Sequence, residues 1–363
     1  MKEKEKSKKR KSRKKILLIL LAVVLVLIIG VICGAGALFS EELKIIGSIE
    51  KVSDDKPVYY MEVDGDYHFE EFLEQGGASS DGEVSAFLTK KISKGFYSVD
   101  VEEDGLACST ISAMTPDGAH IWARNYDWTG AVPIIVKCTP EDGYSSISTC
   151  DFQHITGNPE TVPEGMFNQM LAVAALYVPM DGINEAGLCV ADLEVNEGGM
   201  ADVDTEKTDL TITNAIRLLL NKAATVKEAI ELLEQYDIHA SAGISHHLSI
   251  SDAEGNSAAI EFVDGEPVAV DTCSVTNFNL AGGDISAGGD SAKERYEYLT
   301  SAYEESNGIL TADQVKESIS QVAQPDGEWT TQWSIVYDQG SMTANYYFNS
   351  DYTSAYSYTL GKE

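Results

Sequence analysis

The 363 residues, 44% hydrophobic and 9% aromatic, are enough to bury a sizeable core, which excludes disorder as the global state. Ten of the 26 Lys and Arg fall in the first fifteen residues beside only Glu3 and Glu5, which leaves 16 basic against 56 acidic residues in the rest, a net of −40. A body that acidic repels a phosphate backbone rather than releasing its counterions, so nucleic acid is excluded as a partner despite the basic start.

After the basic tail, residues 1–15, comes a stretch of 24 residues, 16–39, with no charged side chain and mostly Ile, Leu and Val. At about 1.5 Å per residue it is long enough to cross roughly 30 Å of hydrocarbon. The pattern predicts a single transmembrane helix. The Lys/Arg cluster before it and Glu41 and Glu42 after it place the N-terminus in the cytoplasm and the rest outside the cell membrane. A cleaved leader is the alternative, because Ala35-Gly36-Ala37 resembles a cleavage site. Against it, the apolar run exceeds the roughly 7–15 residues of a leader core. Gly30-Val31-Ile32 before Cys33 is a poor lipid-attachment context.

Residues 40–107 read as a flanking module: an apolar patch at Val58 to Val63, then Phe69, Phe72 and Leu73, a Gly76-Gly77 break, and a helical pattern over 81–92. From Cys108 onward short alternating strands divided by Asp/Gly turns mix with amphipathic helices. Leu248 and Ile250, a turn over 252–256, then Ala258, Ile260 and Phe262 form a strand meander. Thr225 with Glu228, and Thr311 with Gln314, are predicted capping boxes, and residues 201–209 an acidic loop. Grouped strands and helices without a βαβ repeat indicate an α+β domain over 108–363.

The densest cluster of reactive residues lies in 108–128. Thr115-Pro116-Asp117-Gly118 is turn chemistry and both flanks alternate, so the segment is a predicted β-hairpin. The fold-back places Cys108 opposite residue 124, 125 or 126 for loops of two, three or four residues. A thiol, the Arg124 guanidinium, the Asn125 amide and the Asp127 carboxylate then gather at one end. In an ideal strand Arg124 and Asp127 point to opposite faces, so a bulge or the strand's end is needed to bring them together. A neighbouring cation lowers a thiol's pKa, a role open to Arg124. No base is evident: His68, His120, His154, His239, His246 and His247 lack a Cys-His protease context. The residues alone leave open a buried structural Cys108 beside an Arg124–Asp127 surface pair.

Four blocks in order resemble the linear-amide hydrolases of the N-terminal-nucleophile superfamily, which includes choloylglycine hydrolases, penicillin V acylase, acid ceramidase and N-acylethanolamine acid amidase. The first is Cys108 with Asp117-Gly118 and Arg124-Asn125-x-Asp127-Trp128. The second is Asp181-Gly182-Ile183-Asn184-Glu185-x-Gly187-Leu188, similar to a turn of that family. The third is Ser251-Asp252-x-x-Gly255 through Glu261, then Val275-Thr276-Asn277-Phe278, and the fourth is the helix start from Ser291 to Arg295-Tyr296. The resemblance implies a four-layer αββα sandwich in which Cys108, freed as the first residue, is nucleophile and, through its α-amino group, base. An α-amine titrates near pH 8 and so accepts a proton at neutral pH. By the same resemblance Arg124 lowers the thiol's pKa, Asp127 holds the amine, Asn277 donates to the oxyanion and Arg295 is a supporting charge. Ten residues after Asn184, where bile salt hydrolases have Asn, stands Glu194, as in the ceramidase-like branch. Its backbone N–H, but not its carboxylate, can serve an oxyanion, and its side chain can assist maturation or orient Asn277.

The resemblance makes residues 40–107 a pro-segment removed by a cut before Cys108, with residues 59–92 able to remain packed on the catalytic part. It implies N-acyl amides as substrates: acyl-amino acids, acylethanolamines, acyl-homoserine lactones, conjugated bile acids or penicillin V. No metal or nucleotide motif occurs, so no cofactor is expected. Cys138, Cys150, Cys189 and Cys273 allow two bridges in three ways or stay as buried thiols. His246-His247 is expected to begin a strand next to the site, with zinc the lesser alternative, and Trp128, Tyr177 and Phe152 to line an acyl pocket or belong to the core. Acyl transfer, a non-catalytic binding domain and a homo-oligomer stay open.

Overall fold

The computed structural model describes residues 30, 33–53, 56–96, 98, 107–195, 200, 203–241, 243–282 and 288–361. The chain forms two compact units, 1–47 and 48–363. In the first, helix α1 (Ser40–Ile46) carries Glu41 and Glu42 in its first turn and Lys44 in its last, the charge order that suits a helix dipole. The expected membrane span, 16–39, lies for the most part outside the described residues, and among those described no helix is long and apolar enough to cross a membrane.

Among the described residues the second unit holds two large sheets. The nine-stranded sheet runs in the order β1 (Glu50–Lys51), β2 (Tyr59–Asp64), β5 (Pro133–Thr139), β6 (Ser146–Asp151), β7 (Asp181–Asn184), β8 (Cys189–Glu194), β11 (His246–Ser251), β12 (Ser257–Val263), β13 (Glu266–Asp271). The six-stranded sheet runs β14 (Ser274–Val275), β3 (Ala107–Met114), β4 (His120–Trp128), β15 (Thr330–Asp338), β16 (Thr343–Phe348), β17 (Tyr356–Thr359). A separate parallel pair joins β9 (Thr208–Thr211) to β10 (Tyr236–His239).

The period-2 geometry of β3 shows how the layers arise. Thr110 and Ser112 point to the other sheet, where their hydroxyls meet Ser249 and Ser251 on β11 at 2.8 and 3.0 Å. Ile111 and Ala113 point the opposite way, into an apolar cluster with Leu299 of α8 (Gly289–Glu305) and Val315 and Ile319 of α9 (Ala312–Gln321). Across the nine-stranded sheet, α6 (Ile212–Lys222) packs on β7 and β8, and α7 (Val226–Leu233) lies on β12 and β13. Gly182 permits the approach of α6, since a Cβ there would stand 2.7 Å from a Leu220 methyl. The result is the expected αββα order.

Residues 48–96 are built into this body. β2 adds to the nine-stranded sheet as a parallel neighbour of β5, with register Tyr59↔Ile134 to Asp64↔Thr139. α2 (Phe69–Glu74) and α3 (Asp81–Ile92) follow, and Phe69, Phe72 and Phe87 surround Tyr177, whose hydroxyl donates to the Tyr67 carbonyl at 2.9 Å. α3 begins and ends where the pattern predicts. The Thr311 capping box has both arms, whereas at Thr225 only one forms: Glu228 reaches back to the Ala224 N–H at 2.8 Å rather than to Thr225. Cys138, Cys189 and Cys273 carry free thiols, so among the described residues the alternative of two bridges is not the one adopted.

Candidate active site

Gly118, at φ +88°, closes the hairpin after a turn in which its N–H meets the Thr115 carbonyl at 2.9 Å, and Thr115 N–H meets the Ala119 carbonyl at 2.8 Å. Three residues therefore form the loop, with the left-handed position filled by glycine as such loops require. The register pairs Cys108 with Tyr126, the furthest of the three alternatives and reached with three loop residues instead of four.

Thr110 is opposite Arg124, so the guanidinium shares the inner face with Cys108. Its Nη2 donates to Cys108 Sγ at 3.0 Å and to the Asp192 carbonyl at 2.9 Å. Nη1 donates to Asp181 Oδ2 at 2.9 Å and to the Met180 carbonyl. Both members of the Arg124–Asp181 pair are fully buried, and Asp181 also accepts from Trp333 Nε1 and the Tyr337 hydroxyl, each at 3.0 Å. A buried ion pair endures only when its remaining lone pairs are satisfied in this way. Asp181 was read as part of a turn; it is a strand residue, and the turn follows at 185–187. Behind the arginine, Asp192 Oδ1 lies 3.0 Å from His246 Nδ1, both fully buried. Tyr126 stacks on Trp333 at 3.7 Å and its hydroxyl is 2.9 Å from His154 Nε2.

The backbone of Cys108 is held from the other side. Its N–H, the amide of the Ala107–Cys108 bond, donates to Asn277 Oδ1 at 2.9 Å. Arg295, reaching from α8, donates to the Cys108 carbonyl and the Ser109 hydroxyl through Nη1, and to Asn277 Oδ1 through Nη2 at 2.9 Å. With its oxygen so engaged, Asn277 turns its Nδ2 to the backbone carbonyl of Glu194 at 2.9 Å. The Glu194 backbone carbonyl thus takes part in orienting Asn277. A role for Asn277 as oxyanion donor requires that bond to be shared or exchanged.

Asp127 does not hold the Cys108 nitrogen here. It is opposite Ala107 on the helix-facing side, where it accepts from Thr331 Oγ1 at 2.5 Å and Gln324 Nε2 at 3.0 Å. The opposition of Arg124 and Asp127 expected of an ideal strand persists: the register shift falls on β15, between Thr331 and Trp333, and β4 keeps its alternation. The two charges flank Cys108 from opposite faces of the sheet.

Burial dominates the electrostatics. It pushes the Cys108 thiol from its ordinary 9.0 up to about 11, against the pull of Arg124 in the other direction. The expected net depression by Arg124 is therefore absent in the intact chain, where the thiol is fully buried. Burial also raises the Asp127 pKa against the opposing charge of Arg295 and its hydrogen bonds, and lowers that of Arg295 against Asp127 and Cys108.

A cavity of about 310 Å³ opens on the backbone side of Cys108, lined by Ala107, Glu194, Asn277, Arg295, Asp326, Glu328 and Trp329 among others. Trp329 stands edge-on to Trp128 at 4.9 Å, which keeps Trp128 near the site. Tyr177 belongs instead to the core under α2 and α3, and Phe152 is fully buried. His246-His247 does begin β11, but His246 is paired with Asp192 and His247 Nδ1 stands 3.8 Å from Glu261. Elsewhere Asp204, Asp209 and Asp237 bring carboxylate oxygens within 4.8 Å of one another; His239 bonds Asp209 and the Thr205 N–H bonds Asp237. Sequence reasoning missed Asp181 and Asp192 as the groups that set Arg124. Asp181 stood in a quoted motif, and the signal was a lone acid inside an apolar β-rich stretch.

Two sheets face to face between helices, with a cysteine at the second position of an inner strand, define an α+β fold of the N-terminal-nucleophile hydrolase type. Residues 108–277 match the family of linear amide C-N hydrolases, choloylglycine hydrolase family. A penicillin V acylase of Pectobacterium atrosepticum is 27% identical over 176 residues, 45% of this chain and 46% of that protein. The chain thus spans about half the length of the curated relative it matches. An arginine-to-leucine variant of conjugated bile acid hydrolase from Clostridium perfringens superposes with a TM-score of 0.52 and 16% identity, covering 70% of this chain and 93% of that one. A cysteine-to-alanine mutant of the same hydrolase gives 0.51 and 16%, with the same coverage. These superpositions establish the fold.

Proposed function

We propose that the protein is a membrane-anchored, self-processing cysteine hydrolase of linear N-acyl amides. The carrying observation is that the thiol and the backbone nitrogen of one residue are each positioned: Cys108 Sγ by Arg124 at 3.0 Å, and Cys108 N by Asn277 Oδ1 at 2.9 Å. A nucleophile whose own nitrogen is to become the base needs both ends fixed.

In maturation the thiol attacks the Ala107 carbonyl, the C–N bond to Cys108 breaks as the nitrogen takes a proton and becomes the free amine, and water hydrolyses the resulting thioester to release the Ala107 carboxylate and restore the thiol. In turnover the amine removes the thiol proton, and the thiolate attacks the substrate carbonyl. The amine then returns the proton to the leaving nitrogen, and the acyl-thioester is cleaved by water that the amine activates. Arg124 stabilises the thiolate, Arg295 and Asn277 orient the amine, and Asp127 supplies a negative charge beside it. Glu194, through its carbonyl, fixes Asn277, and a glutamate at this position is what the chain has in common with the ceramidase-like branch. The uncharged run over 16–39 behind a Lys/Arg cluster supports an anchor with the catalytic part outside the cell.

Pairing of β2 with β5 and the burial of Phe69 and Phe72 support retention of residues 48–96 after the cut. The N-terminal sequence and intact mass of the purified protein test the proposal. A fragment starting at Cys108 that co-purifies with its partner is expected. A chain left uncut at acidic and neutral pH, and inert toward amides, would refute it.

A further inference from the structure

We infer, on the basis of the hydrolase reading above, that the amine half of the substrate is positively charged: an N-acyl diamine, one nitrogen acylated and the other protonated. The cavity's position comes first. During turnover the Cys108 nitrogen must hand a proton to the leaving nitrogen, so the leaving group lies within hydrogen-bond reach of it. Ala107 and Asn277, which flank that nitrogen along the chain and across its hydrogen bond, both line the 310 Å³ cavity. The cavity therefore receives the amine side of the amide.

Its charge comes second. Glu194, Asp326 and Glu328 put three acidic residues in its lining, against Arg295 as the sole Lys or Arg among the described residues that line it. Arg295 is 7% exposed and its Nη atoms are committed to Cys108, Ser109 and Asn277. An anionic leaving group such as an amino acid meets three like charges and an arginine whose Nη atoms are already engaged, whereas an alkylammonium meets three opposite ones. Trp329, braced by Trp128, adds an aromatic wall of the kind that attracts alkylammonium groups. The volume is at the small end of ligand pockets, roughly 300–1,000 Å³, and suits a short diamine.

The test uses processed enzyme prepared from the full chain, with lauroyl and phenylacetyl amides of 1,4-diaminobutane, ethanolamine and glycine, released amine being quantified by mass spectrometry. Expected kcat/KM falls from diamine to ethanolamine to glycine, by about tenfold or more between the extremes, carried mainly by KM and compressed by 0.5 M salt. The Asp326→Asn, Glu328→Gln double variant should reduce the diamine-to-glycine ratio at least about threefold. Equal or faster cleavage of the glycine amides, or a ratio untouched by the double variant, would overturn the charge inference alone. Absence of turnover with every amide would instead remove the hydrolase reading, and this inference with it.

Discussion

Cys108 is gripped from two sides by different chemistry. On the thiol side stands a dry, fully buried ion pair, Arg124–Asp181, whose every oxygen and Nη atom is assigned to Trp333, Tyr337, Met180, Asp192 or the sulfur itself. On the backbone side Arg295 and Asn277 border a cavity, and their bonds run largely to main-chain atoms. The first side is rigid because a buried charge tolerates no missing partner. The second can rearrange when the peptide bond in front of Cys108 is cut, because cavity space lies beside it. Rigidity at the thiol and room at the backbone nitrogen is the division of labour that the double role proposed for Cys108 requires.

Substitutions sharpen this contrast. Replacing Cys108 by Ala should abolish both scission and turnover, a loss of at least about 10³-fold in amide hydrolysis; a processed, active C108A chain on a gel and in an amidase assay would end the comparison. Asp181→Asn leaves Arg124 buried and unpaired, and should lower stability by about 3–5 kcal/mol in denaturant titration. The Arg124→Met, Asp181→Leu double variant should recover much of that stability without restoring turnover, which separates the structural from the catalytic share of the thiol side. On the backbone side Asn277→Ala should slow scission by about 10²–10³-fold while costing only about 1–3 kcal/mol of stability, a smaller structural penalty than at Asp181.

The pH dependence has a definite sign. Burial raises the Cys108, Cys138 and Cys273 thiols from 9.0 to about 11 each, so the folded intact chain holds their protons more tightly than the unfolded one. Their contribution to stability is complete below about pH 9 and is lost as pH climbs through about 11. Denaturation midpoints measured from pH 8 to 11 should fall over that window, and by less in the C108A variant. Thr311→Ala, far from both sides, should cost about 1 kcal/mol through the lost cap and leave scission unchanged.

Local chemistry made the hairpin legible: Thr115-Pro116-Asp117-Gly118 fixed the turn, and alternation placed Cys108, Arg124 and Asp127 at one end. What alternation also says, that Arg124 and Asp127 face opposite ways, proved to be the arrangement itself. The partners of Arg124 were not legible, because Asp181 and Asp192 lie 57 and 68 residues further along the chain and nothing local distinguishes a buried counterion from a strand-edge acid. The direction of the Asn277 amide depends on three groups from three elements. The insertion of β2 beside β5 leaves no short-range trace either, since parallel neighbours share no turn.

That insertion has a consequence for the protein's history. An intact chain folds as one molecule, but a chain severed before Cys108 and then denatured becomes two, and the strand that completes the sheet must be found again by collision. Recovery after denaturation should therefore depend on dilution for the cut form and not for the intact one. On the proposed processing, a cut protein would persist by the slowness of its unfolding rather than by reversible equilibrium, and each copy would get one unimolecular opportunity to assemble, before the bond is broken.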